Sequence, residues 1–323
     1  CRPSWTPSKA GSSGHLHTPA PITPMHDARM NAAISPITVL GQPALLLKSP
    51  SGAQATVSLH GGQVLSWRTP NGDEQLYLSP AAAAGPGLAI RGGAPVIFPQ
   101  FELMGPDRSL PRHGLARTRL WQVDSQSTGA DHAQATVVLR DDAETRALWP
   151  HGFQLELTVA VSAERLDMEL YVENTGDTTW PFAAALHTYL AVSTLSQVRL
   201  QGLEGCTFDD RLLGGQTVED HPEKRFLGEI DRIYRRANHL LLRDGPRRLL
   251  GLLRGQVDTQ RSARPQGHEE SNRQDADYPS HRPSNSVHDP VHARMRGKIT
   301  PIMGQRCIEI VRRCCLTASA RIA

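Results

Sequence analysis

The chain has 323 residues, 39% of them hydrophobic, and its 35 basic and 32 acidic side chains leave a formal net charge of +3. That length allows one large all-β domain or two smaller ones. Charges so nearly balanced, with no basic patch interleaved with aromatics, argue against a nucleic-acid partner, and no stretch approaches the roughly 18 consecutive apolar residues of a membrane span.

Residues 1–36 hold six prolines, many Ser and Thr, three basic residues and one acid. Such a segment is a poor core-former. It is expected to be disordered, as an upstream translated stretch or a targeting peptide, with Met25 and Met30 as candidate starts. From about residue 37 short strand-like runs alternate with turn chemistry: Ala44–Leu47, Ala55–Leu59 and Val64–Trp67 are separated by Ser49–Gly52, Gly61-Gly62 and Pro70–Asp73. This rhythm predicts antiparallel strands joined by tight turns.

The next segment, Ile90–Pro99, contains Arg91 followed by Gly92 and Gly93. The glycine pair is expected to let backbone approach a ligand closely, and Arg91 offers a planar fork suited to phosphate or sugar oxygens. In Arg112–Arg117 two guanidinium groups flank His113 and Gly114, the composition of an anion-binding turn. The flanking cations favour the neutral form of His113, which points to a structural or sugar-contact role. The clearest hairpin follows: Phe153, Leu155, Leu157, Val159 and Val161 alternate with polar or small residues, a turn falls near Ala163-Glu164, and Leu166, Met168, Leu170 and Val172 alternate again. Period two in both arms means one buried face each.

His187 then stands in the apolar run Pro181–Leu190, beside Thr188 and Tyr189. Imidazole exchanges protons near neutrality, so a histidine delivered by a strand can serve as an acid or a base. The plain alternative is a core histidine with its hydrogen bonds satisfied. In Gly228–Tyr234, Asp231 and Arg232 fall between apolar residues, as in a strand with one face toward a cleft. No segment shows a long, capped helical stripe, so the expected fold class is all-β, an antiparallel β-sandwich.

The tail is compositionally different. Among residues 254–286 only Val257, Ala263, Ala276 and Tyr278 are apolar, too few for a core strand. A polar surface insertion and an out-of-frame stretch both fit. Cys1, Cys206, Cys307, Cys314 and Cys315 form no CxxC pair, so reduced thiols and no metal site are expected.

Taken in order, Arg91–Pro95, His113–Arg117, Ala185–Tyr189, Leu203–Gly205, Glu229–Tyr234 and Asp244–Arg247 resemble blocks of the aldose 1-epimerase superfamily, in particular its glucose-6-phosphate 1-epimerases, over roughly residues 37–250. The resemblance implies a galactose mutarotase-like supersandwich that interconverts the α and β anomers of a hexose 6-phosphate. In that reading His187 is the catalytic acid, Arg91 and Arg117 contact phosphate and sugar, and Asp231 holds a sugar hydroxyl; His113 is a candidate sugar contact, and Arg112, which stands where the family often carries an amide, is a candidate contact that the resemblance does not imply. The family's catalytic carboxylate comes from a Cys-Val-Glu-like strand, which Arg306–Val311 matches, making Glu309 the candidate base. Ser286–Pro290 is a faint counterpart of the preceding Asn-Pro block.

The implied organisation is a 1–36 leader, a 37–253 sandwich, a 254–286 insertion or out-of-frame stretch, and a degenerate C-terminal part of the sandwich at 287–323. No cofactor is implied, and no dinucleotide or P-loop glycine motif is present. The expected partner is a small-molecule sugar phosphate, with neither nucleic acid nor membrane, and the protein is expected to be a cytoplasmic monomer. Two alternatives stay open: a catalytically impaired sugar-phosphate-binding protein, and an aldose 1-epimerase acting on unphosphorylated hexoses.

Overall fold

The computed structural model describes residues 31–103, 109–227, 230–235, 237, 239–258, 292–300, 307–311 and 314–316. The first strands form an antiparallel meander, Ala33–Val39, Gln42–Lys48, Gln54–Ser58 and Gln63–Arg68, with a bulge between Thr56 and Val57. A nine-stranded antiparallel sheet packs against it, running in space from Glu223–Arg225 through Val198–Gln201, His239–Asp244, Arg247–Asp258, His292–Thr300, Arg165–Asn174, Phe153–Ser162 and His132–Arg140 to Gln122–Thr128. A third sheet is centred on Phe182–Ala191, and a small one joins Gln216–Val218, Thr207–Asp210 and Arg232–Tyr234.

The expected hairpin is present as Phe153–Ser162 against Arg165–Asn174, with Phe153 opposite Asn174 and Ser162 opposite Arg165. Its alternating apolar residues are buried, and Leu155, Leu157, Val159 and Val161 are sealed from solvent. Strand pairing runs past the expected boundaries, beginning at Ala33 and continuing to Asp258, and His292–Thr300 inserts between Arg247–Asp258 and Arg165–Asn174. Most of the polar stretch, residues 259–286, lies outside the described residues, as does the 1–30 part of the leader. Among the described residues no helix is long and apolar enough to cross a membrane.

The α-helix Ala143–Leu148 is one and a half turns long and depends on its start. The Asp142 carboxylate accepts from the Thr145 N–H at 2.7 Å while the Thr145 hydroxyl accepts from the Asp142 N–H at 2.7 Å, a reciprocal cap that serves two otherwise orphaned donors. Asp142→Ala is expected to cost about 1 kcal/mol, read as a shift in the urea midpoint at constant slope.

Behind the third sheet lies an aromatic cluster. Phe98 has its ring 5.4 Å from Trp149, 5.2 Å from Phe153, 6.0 Å from Trp180 and 5.7 Å from Phe182, in tilted or edge-on orientations, the arrangements that ring quadrupoles favour. Phe98 and Phe182 belong to the two segments that carry the candidate site, so this cluster sets their relative position.

Candidate active site

The strand Phe182–Ala191 separates two environments. Phe182, Ala184, Leu186 and Leu190 join the main core. Ala183 and Ala185 form a second, smaller cluster with Ile97 and Phe101. Strand side chains alternate between faces, so His187 and Tyr189 continue the second face while Thr188 turns to the core. His187 is only 5% exposed. Its ring lies 5.0 Å from Tyr189, 5.5 Å edge-on from His113, and 6.2 Å from Phe101 in a stacked orientation.

The Arg91 block is hydrogen-bonded directly to this strand: the His187 N–H donates to the Pro95 carbonyl at 3.0 Å and the Tyr189 N–H to that of Gly93 at 2.8 Å. The glycine pair works differently from expectation. A Cβ on Gly92, at φ +104°, would stand 2.3 Å from the Tyr77 carbonyl oxygen, and one on Gly93 2.3 Å from that of Val64. The close approach that the glycines permit is therefore to neighbouring backbone of the protein. Arg91 itself is exposed.

In the 112–117 block, His113 has a left-handed backbone at φ +67°. It exchanges two hydrogen bonds with Glu102. The His113 N–H donates to the Glu102 carbonyl at 2.9 Å, and the Glu102 N–H donates to His113 Nδ1 at 3.1 Å. Because Nδ1 accepts, the ring proton sits on Nε2 and the imidazole is neutral in this geometry. Arg112 is exposed and pairs with the Glu102 carboxylate at 3.2 Å. Arg117 donates from Nη2 to the Arg112 carbonyl at 2.7 Å, and its Nε is buried without a partner among the described residues. Burial is the main cause that holds the Arg117 guanidinium below its ordinary pKa; Tyr189 opposes the shift, and the cations Arg112 and Arg91 add to it. Arg112, Arg91 and Tyr189 are thus all within electrostatic reach of the Arg117 guanidinium.

Asp231 is exposed, and its backbone carbonyl accepts from the Arg211 N–H at 2.8 Å. Arg211 in turn reaches Glu102 at 3.1 Å, which links Asp231 to the His113 turn. Arg232 does not face a cleft. It pairs with Asp210 at 3.0 Å and Glu219 at 3.1 Å and lies 4.1 Å over the Phe208 ring, bracing the small sheet. Its strand is half-buried throughout, and sequence alternation does not say what covers each face. Glu309 lies on Cys307–Val311, which pairs with the His187 strand so that Glu309 is opposite Tyr189 and Val311 opposite His187.

Glu219, Asp220 and His221 bring three possible ligand atoms within 4.8 Å of one another. Two of the three are exposed, and the Glu219 carboxylate already accepts from Tyr234 and Arg232. The cluster is explained by that bracing. Sequence reasoning passed over Phe101, Glu102 and Arg211. Phe101 ends the apolar run after Arg91 and was open to detection on that ground, but Glu102 and Arg211 stand 109 residues apart and carry no local signature.

The chain matches the aldose 1-epimerase family over residues 43–248. It is 36% identical over 211 residues to a protein of Cenchrus ciliaris named "Putative glucose-6-phosphate 1-epimerase", covering 59% of this chain and 63% of that one. A protein of the same name from Escherichia coli K12 is 33% identical over 189 residues, covering 55% of this chain and 61% of the relative. The chain thus spans about three-fifths of the length of these relatives. Among solved structures, one titled a putative mutarotase from Salmonella typhimurium superposes with a TM-score of 0.64 at 21% identity, covering 84% of this chain and 94% of the other. A galactose mutarotase related enzyme from Lactobacillus acidophilus gives 0.56 at 13% identity, covering 86% and all of the other chain. At such identities these two establish a shared fold.

Proposed function

The chain belongs to the aldose 1-epimerase family, and from that premise we propose that it is a hexose-6-phosphate mutarotase, interconverting the α and β anomers of glucose 6-phosphate. One observation carries the substrate class: the partly buried Arg117, which donates to the Arg112 carbonyl, lies within electrostatic reach of Arg91 and of Tyr189, on the strand that holds His187. Glu102 occupies Arg112, which leaves Arg91 and Arg117 to take a phosphate by charge-assisted hydrogen bonds. The names borne by the Cenchrus ciliaris and Escherichia coli relatives support the same substrate.

The reaction needs a base to remove the anomeric hydroxyl proton while an acid protonates the ring oxygen. The C1–O5 bond then breaks, the aldehyde turns about C1–C2, and reclosure on the other face reverses both proton transfers. We assign the acid to His187 and the base to Glu309, with His113 donating from Nε2–H to a sugar oxygen and Asp231 holding a hydroxyl. The in-register backbone pairing of Glu309 with Tyr189, two residues from His187 on the same strand, supports this.

Exchange NMR on glucose 6-phosphate tests the activity, with glucose as the comparison. Arg91→Ala and Arg117→Ala should each weaken the phosphorylated sugar by about 10- to 100-fold, since a hydrogen bond to a charged group contributes about 1.5–3 kcal/mol. Equal affinity for glucose and glucose 6-phosphate would sink the phosphate assignment. A chain that binds the sugar phosphate without accelerating anomer exchange would be the non-catalytic binding protein.

A further inference from the structure

We propose that Glu102 is a positioning residue for the substrate site, acting through both ends of its own backbone and both oxygens of its carboxylate. Oε1 takes Arg112 at 3.2 Å and Oε2 takes Arg211 at 3.1 Å. The Arg112 carbonyl in turn accepts from Arg117, and the Arg211 N–H fastens the Asp231 carbonyl. The Glu102 N–H and carbonyl hold His113 at Nδ1 and at its backbone N–H, and the His113 ring stands against His187. Phe101, the preceding residue, packs on both histidines. Every residue assigned to the sugar and phosphate on these two loops is therefore one or two bonds from Glu102.

The backbone gives an independent sign. Glu102 sits at φ +52°, in the left-handed region that a residue with a Cβ adopts at a cost and glycine adopts freely. A non-glycine residue in this region marks local strain of the kind found where a side chain has a specific task. Its side chain is 21% exposed and those of Arg112 and Arg211 are 66% and 35% exposed. Pairs this open add little to stability, so placement of the two arginines is the larger effect.

The inference rests on the mutarotase reading, and the test separates the two. Glu102→Gln keeps size and backbone while removing the charge; Glu102→Gly removes the side chain and relieves the left-handed backbone. Both variants are expected to raise KM for glucose 6-phosphate about tenfold, the scale of a modest misplacement of binding groups, with kcat within about twofold of wild type. The melting temperature of Glu102→Gly should equal or exceed that of wild type. Substrate binding then weakens with no loss of stability, which a structural role does not produce. Wild-type KM in both variants, or a KM increase that tracks a fall in melting temperature in both, overturns the proposal. If the wild type binds glucose 6-phosphate in calorimetry but does not accelerate its anomerisation, the activity reading fails, and the tenfold shift is read in Kd instead.

Discussion

His187→Ala is expected to remove the acceleration of anomer exchange, lowering kcat by about 10²- to 10⁴-fold, the contribution of one positioned proton-transfer group. The side chain is nearly enclosed, stacked on Phe101 and edge-on to His113, so truncation also leaves a void. His187→Asn fills more of that void and cannot act as an acid, and it should be equally inactive while melting close to wild type. Glu309→Gln should lose nearly as much. If His187→Ala is inactive while Glu309→Gln keeps its rate, the base is another group and the alignment of Arg306–Val311 is wrong. The pair of variants also distinguishes a working enzyme from a sugar-phosphate-binding protein, because only the former has activity to lose.

Much of the architecture was legible because it rests on local periodicity. The Phe153–Val172 hairpin alternates in sequence and in burial alike, and the strand that presents His187 is visible as an apolar run broken by one imidazole. What periodicity does not carry is the identity of the partner on each face. The Gly92-Gly93 pair marks a close backbone approach, and sequence alone does not say whether ligand or neighbouring strand approaches; here Tyr77 and Val64 do. Arg232 has the alternation of a cleft residue, yet Asp210 and Glu219 claim it. Glu102 is harder still, since both its strained backbone and its contact with Arg211 are products of tertiary structure. Composition turns polar near residue 254, but pairing with His292–Thr300 carries the strand Arg247–Asp258 past that point.

Glu219→Ala is expected to destabilise the protein by about 3 kcal/mol. The carboxylate is 3% exposed and accepts from the Tyr234 hydroxyl at 2.6 Å, Arg232 at 3.1 Å and Lys224 at 3.3 Å. Removing one member of a buried ion pair typically costs about 3–5 kcal/mol because the other charge is left uncompensated; the lower end applies here, since Arg232 keeps Asp210. Burial alone would raise the Glu219 pKa, but Tyr234, Lys224 and Arg232 together outweigh it and hold the carboxyl below its ordinary value. A depressed carboxyl contributes stability that is complete above the unfolded-state value of about 4.3 and is lost as pH falls through the lower folded value. Urea unfolding of wild type against Glu219→Gln should therefore show its full gap at pH 7 and a gap that closes below about pH 4. A gap unchanged down to pH 3 would mean that the hydrogen bond from Tyr234, and not the charge, holds the small sheet. Arg211 and Asp231 flank two strands of that sheet, so loosening it should raise KM for the proposed sugar phosphate at urea concentrations below the global transition, coupling a buried carboxylate to the placement of a residue assigned to the site.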